Sequence, residues 1–241
     1  MKKYLNSLAI IATLLGIALI SGCTASKNST IPTAISDFRI ERGAYDLAYD
    51  GQHRQARWVY EHLTSDTVDG AADRGKCVFK EDPLIPAALQ ATNDDYTGSG
   101  FDRGHLCPAG DARVSDKAMR ETFFLSNISP QHPQFNRGYW LKLERHVREL
   151  AKKHGSIHVF TGGLYLPHEE ADGKRYVKYQ VIGANDVAVP THYFKIVFSE
   201  DRVPVEAYIM PNEAIAADTP LGKFITTIEK VERAAGIVFT P

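Results

Sequence analysis

The densest chemical grouping in this 241-residue sequence is Asp102-Arg103-Gly104-His105, followed at a distance by Asn136, Glu144 and Arg148. A neutral imidazole takes a proton from water near neutral pH, so His105 suits a general base. Its plain alternative is a structural histidine donating to a backbone carbonyl. The amide oxygen of Asn136 is a hard donor acceptable to Mg2+, which gives up its own waters reluctantly. The plain alternative has Asn136 capping a helix that starts near Gly138. Trp140, Glu144 and Arg148 stand at i, i+4 and i+8, on one helical side. Read plainly, Glu144 and Arg148 form an exposed ion pair worth about a few tenths of a kcal/mol. Arg103 carries a planar fork that matches phosphate oxygens, or else it pairs with Asp102 or another nearby acid. A base, a hard oxygen donor and guanidinium groups are what phosphodiester hydrolysis asks for. It needs an activated water, a neutralised phosphate and help for the departing 3′ oxygen.

The order and spacing of these residues say more than their types. Asp102-Arg103-Gly104-His105 runs on into Leu106, Cys107 and Pro108. A second block reads Leu125-Ser126-Asn127-Ile128-Ser129-Pro130-Gln131, then Asn136, Gly138, Trp140, Glu144 and Arg148. Together they resemble the DNA/RNA non-specific endonuclease family, whose site is a ββα-metal finger. The resemblance spans roughly residues 45 to 240, including Thr161-Gly162-Gly163 and the Pro211-Asn212 pair. It implies that His105 is the general base and that Asn136 holds the metal, Mg2+ with Mn2+ as a substitute. It assigns Glu144 to a metal-bound water or to the site geometry, and Arg148, with Arg103, to the phosphate. DNA and RNA are the implied substrates, cut with little regard for sequence to leave 5′-phosphates. Asp102 is expected to fix its loop, and Asn127 to buttress the finger by hydrogen bonds.

One departure stands out. Family members commonly carry an arginine just before the Phe-x-x-Asp-Pro stretch, here Phe79 to Pro83, and alignment places Cys77 there with Lys76 and Lys80 adjacent. Either lysine is then a candidate phosphate contact, as a point charge rather than a fork. Cys77 and Cys107 either pair near the site in an oxidising compartment or are two small buried residues. A zinc hydrolase built on His132, His146, His154 and His158 matches no zinc signature. A catalytically inactive nucleic-acid-binding envelope lipoprotein should have lost the base or the metal ligand, and both His105 and Asn136 stand.

The elements that must position these residues mix strands and helices. Tyr45–Tyr49 and Ala56–Leu63 flank Asp50-Gly51 and read as a hairpin. Residues 157–160, 192–198 and 205–210 are further β-branched and aromatic runs. Trp140, Leu143, Val147, Leu150 and Ala151 recur at helical spacing, with Gly155 as the stop. A shorter helix begins at Ser115. Leu221, Phe224, Ile225, Ile228 and Val231 predict a last helix capped by Thr219, with Pro220 in its first turn and Gly236 beyond its end. No regular βαβ alternation emerges, so the expected class is α+β, an antiparallel sheet flanked by helices.

The N-terminus reads as something apart. Lys2 and Lys3 precede an apolar run from Leu8 to Ile20, then Ser21, Gly22 and Cys23, the order of a secretory leader too short to span a membrane. Ile20-Ser21-Gly22-Cys23 resembles a bacterial lipobox, implying cleavage after residue 22, lipid on Cys23, membrane tethering and a periplasmic or cell-envelope location. Residues 23–40 read as a tether and 41–241 as the catalytic domain. Without Lys2 and Lys3, 26 basic side chains face 29 acidic ones, a formal charge of −3. That weighs against a static, high-affinity nucleic-acid binder and less against an enzyme that must release its product.

Overall fold

The computed structural model describes residues 37–240. The expected leader, Cys23 and most of the tether lie outside the described residues. Residues 37–40, read as the end of the tether, belong instead to the first strand, β1 (Asp37–Glu41). There Phe38 and Ile40 alternate with polar neighbours and pair opposite Tyr49 and Leu47, so one edge of the strand joins the core.

β2 (Asp46–Asp50) and β3 (Gln55–Thr64) form the expected hairpin. Its loop is held by Asp50, whose carboxylate accepts from Gln52 N at 2.8 Å and meets His53 Nδ1 at 2.6 Å. After α1 (Ser65–Val68) and α2 (Asn93–Tyr96) comes a separate two-stranded pair, β4 (Asp102–His105) with β5 (Ile128–Gln131); α3 (Asp116–Glu121) lies between them, with Ser115 as its cap. α4 (Leu141–His154) follows, and Gly155 at φ +82° ends it. β6 (Ser156–Leu164) then crosses the main sheet. Two short pairs, β7 (His168–Glu169) with β8 (Arg175–Tyr176) and β9 (Val181–Ile182) with β10 (Val187–Ala188), precede β11 (His192–Ser199) and β12 (Pro204–Pro211).

The main sheet has six strands in the order β1-β2-β3-β6-β11-β12, every adjacent pair antiparallel. Period-two alternation sorts its two faces. Val59, Leu63, Ile157, Val159, Tyr193 and Val197 pack against Trp140, Leu143, Val147, Leu150 and Ala151 of the α4 segment. Phe160, Phe194, Ile196 and Phe198 face Val231 and Phe239 on the other side. The fold is thus α+β, with the sheet between α4 and the last helix.

That last helix differs from expectation. Pro220 leads into a 3-10 turn, Leu221–Phe224, and the chain then extends at Ile225, which bridges to Tyr208, while Thr226 N donates to Ala207 O at 2.9 Å. Only then does α5 (Ile228–Ala235) start, capped by Thr227 and closed by left-handed Gly236. Pairing with β12 splits the helical run, and the β-branched pair Thr226-Thr227 is where it breaks.

Candidate active site

The site is built on β4, β5 and α4, a ββα unit. Asp102 pairs with Gln131 and His105 with Ile128, placing the Asp-Arg-Gly-His run along one strand. Gly104 is required there by contact: a Cβ would lie 2.2 Å from the Gln131 side chain, which is fully buried. Asn127 grips the chain just past His105. Its Oδ1 accepts from Cys107 N at 2.9 Å, and its Nδ2 donates to Cys107 O at 2.9 Å and Thr122 O at 2.8 Å. Between β5 and α4 the backbone makes a π-helical turn, Phe135–Trp140. Such turns widen the helix and redirect side chains, frequently at functional sites. Asn136 sits inside this turn, so it is not the helix cap that the plain reading allowed.

These elements enclose a cavity of about 300 Å³ lined by Arg74, His105, Asn136, Arg137, Glu144 and Arg148, with Pro108, Ala109, Gly110 and Leu141. Asn136 Nδ2 donates to Asp102 Oδ2 at 2.8 Å, and Arg137 holds the same carboxylate through Nε at 2.7 Å and Nη2 at 2.5 Å. Burial would raise the Asp102 carboxyl, but the Arg137 and Asn136 hydrogen bonds outweigh it and hold the group below its ordinary value. With its amide nitrogen committed, Asn136 has its oxygen left for a cation, the donor type that suits Mg2+. His105 is wedged between Phe79 and Phe123, at ring distances of 5.4 and 4.8 Å. Burial first, and the Arg74 charge second, push its pKa down to about 3. The imidazole is therefore neutral near pH 7, and its buried Nε2 has no protein partner.

Beneath the cavity lies a layer of buried charge. Arg148 Nη1 donates to Asp111 Oδ1 at 2.6 Å, the two side chains being 19 % and 2 % exposed. Burial raises the Asp111 carboxyl, and Arg148 opposes it. Burial, reinforced by Asp111, lifts Glu144 to about 7, against the pull of Lys195, Arg148 and Arg74. Deeper still, Lys195 donates to Thr161 Oγ1 at 2.6 Å and lies 4.0 Å from Glu61.

Asp111 thus fixes the guanidinium that faces the cavity. Removing one member of a buried pair leaves the other charge uncompensated, typically at about 3–5 kcal/mol. Asp111→Ala is expected to lower thermal stability by that order and to slow nucleic-acid cleavage, read by melting and by plasmid nicking. Glu61 gives a pH signature. Burial, then Asp111, raises its carboxyl above 4.5, against Lys195. Above pH 4.5 the unfolded chain ionises this group while the folded protein keeps it protonated, so stability falls as pH rises. The melting-temperature gap between Glu61→Gln and the native sequence should widen in favour of the variant from pH 5 to pH 8.

Comparison with known proteins follows the same geometry. The DNA/RNA non-specific endonuclease family matches residues 24–241. The chain belongs to this family. Human endonuclease G, described as mitochondrial, is 48% identical over 203 residues, covering 83% of this chain and 68% of that protein. Nuclease C1 of Cunninghamella echinulata var. echinulata is 46% identical over 215 residues, covering 86% and 84%. Among solved structures, a chain of the EndoG/EndoGI complex superposes with a TM-score of 0.81 at 48% identity, covering 84% of this chain and 85% of that one. The α+β class and the non-specific endonuclease activity follow from this membership.

Within the family frame, the structure gathers His105, Asn136, Glu144 and Arg148 on one cavity but not every predicted partner. Arg103 does not line it. Its guanidinium lies over Phe79 and Tyr96, at 5.5 and 5.7 Å, and donates to Asn93 O at 3.1 Å, while Asp102 pairs with Arg137 instead. Lys80 stands over Phe124 in a different depression, beside Arg42 and Lys117, and Lys76 is exposed outside the cavity. Cys77 and Cys107 are both free: Cys107 is fully buried in the main core, and Cys77 packs beside the Met119 cluster, so of the two alternatives left open the unpaired one holds.

Arg74 and Arg137 are the cavity residues that sequence reasoning missed. Asp73 caps a 3-10 turn over Arg74–Lys76, its Oδ1 accepting from Gly75 N at 2.8 Å, and this turn carries Arg74 to the site. Asp73-Arg74-Gly75 was the available signal, three residues before the aligned Cys77. Arg137 directly follows the candidate ligand, but only the Asp102 pairing reveals its place.

Proposed function

We propose that the protein hydrolyses phosphodiester bonds of DNA and RNA in a Mg2+-dependent reaction, Mn2+ substituting, that leaves 5′-phosphates. The observation that carries this reading is a neutral imidazole and a freed amide oxygen, His105 and Asn136, on the wall of one cavity. Asn136 Oδ1 would hold the divalent ion, which when bound would supply Lewis acidity to the departing 3′ oxygen. His105 accepts the proton of the attacking water, which lines up opposite that oxygen. Arg148 and Arg74 hold the phosphate and neutralise its charge; Arg137 keeps Asp102, and through it Asn136, in place. Glu144, on the same cavity wall, would position a water beside the ion that Asn136 would hold. Contacts of this kind address the backbone and leave bases unread, which is consistent with weak sequence preference.

A plasmid-nicking assay with and without chelator tests the reading. Nicking and linearisation in Mg2+, abolished by chelator and accompanied by RNA cleavage, is expected; undiminished cleavage in chelator would contradict it. We further propose, from the lipobox-like segment, that the protein is an envelope lipoprotein anchored through Cys23. Cys23→Ser should then move it from the membrane to the soluble fraction of a bacterial host, and an unchanged distribution would contradict anchoring.

A further inference from the structure

On the sheet face away from the active site, His62 and His158 sit directly opposite each other across β3 and β6. Strand alternation separates them from the catalytic side, because their neighbours Glu61 and Val159 point towards α4. The two imidazoles stack with ring centres 4.7 Å apart. Glu200, in the turn joining β11 to β12, brings Oε2 to 2.9 Å from His62 Nε2 and 3.8 Å from His158 Nε2. The three ligand atoms lie within 4.8 Å of one another. Tyr60 Oη stands 2.8 Å from His158 Nδ1, which leaves Nε2 to face the group, the supporting contact that metal-binding histidines usually have.

We propose that His62, His158 and Glu200 form a second metal site, for a transition ion of the zinc class, independent of the catalytic cavity. Two nitrogen donors and one carboxylate suit Zn2+ and discriminate against Mg2+, and water takes the fourth position. Tetrahedral zinc wants neighbouring ligand atoms about 3.4 Å apart. Closing the group to that spacing would require the half-exposed His62 and Glu200 to rotate, while His158, 11 % exposed and held by Tyr60, would stay in place. The ion joins β3, β6 and the β11–β12 turn, so loading should stiffen the sheet.

Calorimetric titration of the full chain with Zn2+ tests this, with His62→Ala, Glu200→Gln and Asn136→Ala in parallel. Binding is expected at micromolar Zn2+, with a raised melting temperature. It should weaken at least tenfold in His62→Ala and in Glu200→Gln and stay unchanged in Asn136→Ala. Both exposed variants should keep Mg2+-supported nicking. No Zn2+ binding by the native chain, a loss below tenfold in His62→Ala, or abolition by Asn136→Ala would each overturn the assignment.

Discussion

His105→Ala is expected to cut nucleic-acid cleavage by about 10²–10⁴-fold, the usual contribution of a positioned general base. The structure gives the reason in two steps. Burial between Phe79 and Phe123 makes the charged imidazolium costly, so the ring is neutral and able to accept a proton. Its Nε2 has no protein partner, so no internal hydrogen bond competes with an incoming water. The truncation also removes a buried ring, and some loss of melting temperature should accompany the loss of activity. A structural histidine would show the stability change without the catalytic collapse. Single-turnover cleavage of a plasmid, set beside a thermal melt, separates the two.

Asn136→Ala should act on the metal rather than on the water. Its half-saturating Mg2+ concentration is expected to rise at least tenfold, with little change in stability, since the side chain is only partly buried and its one protein bond goes to Asp102. An unchanged Mg2+ titration would count against ligation. Asp102 supplies a graded version of the same test. Asp102→Asn gives up the carboxylate that clamps both Asn136 and Arg137, so it should weaken Mg2+ dependence in the same direction by a smaller factor.

Much of this was legible in the sequence where local pattern and tertiary structure agree. The Trp140–Ala151 stripe became the face of α4 that the sheet buries, and Asp50-Gly51 marked the hairpin turn because Asp50 bonds the loop's own amides. Tertiary partners decided the failures. Periodicity alone ran the last helix through Ile225, but pairing to Tyr208 pulled that residue out. The tether was drawn as far as residue 40, yet Phe38 and Ile40 were enough to add a strand once Leu47 and Tyr49 lay beside them. The lysines near Cys77 lay close in sequence to the expected arginine, and Arg74 reached the cavity through the Asp73-capped turn instead. The acids Asp111 and Glu61 carry no motif, so their place beneath Arg148 and beside Lys195 could be found only in three dimensions.

Chemical rescue asks most directly whether the imidazole does the proton transfer. Free imidazole added to His105→Ala, whose missing ring leaves space between Phe79 and Phe123, should restore cleavage in proportion to its neutral form while the Mg2+ requirement stays at the native level. A cleavage rate indifferent to imidazole, or near-native activity in His105→Ala before any is added, would contradict the role given to His105.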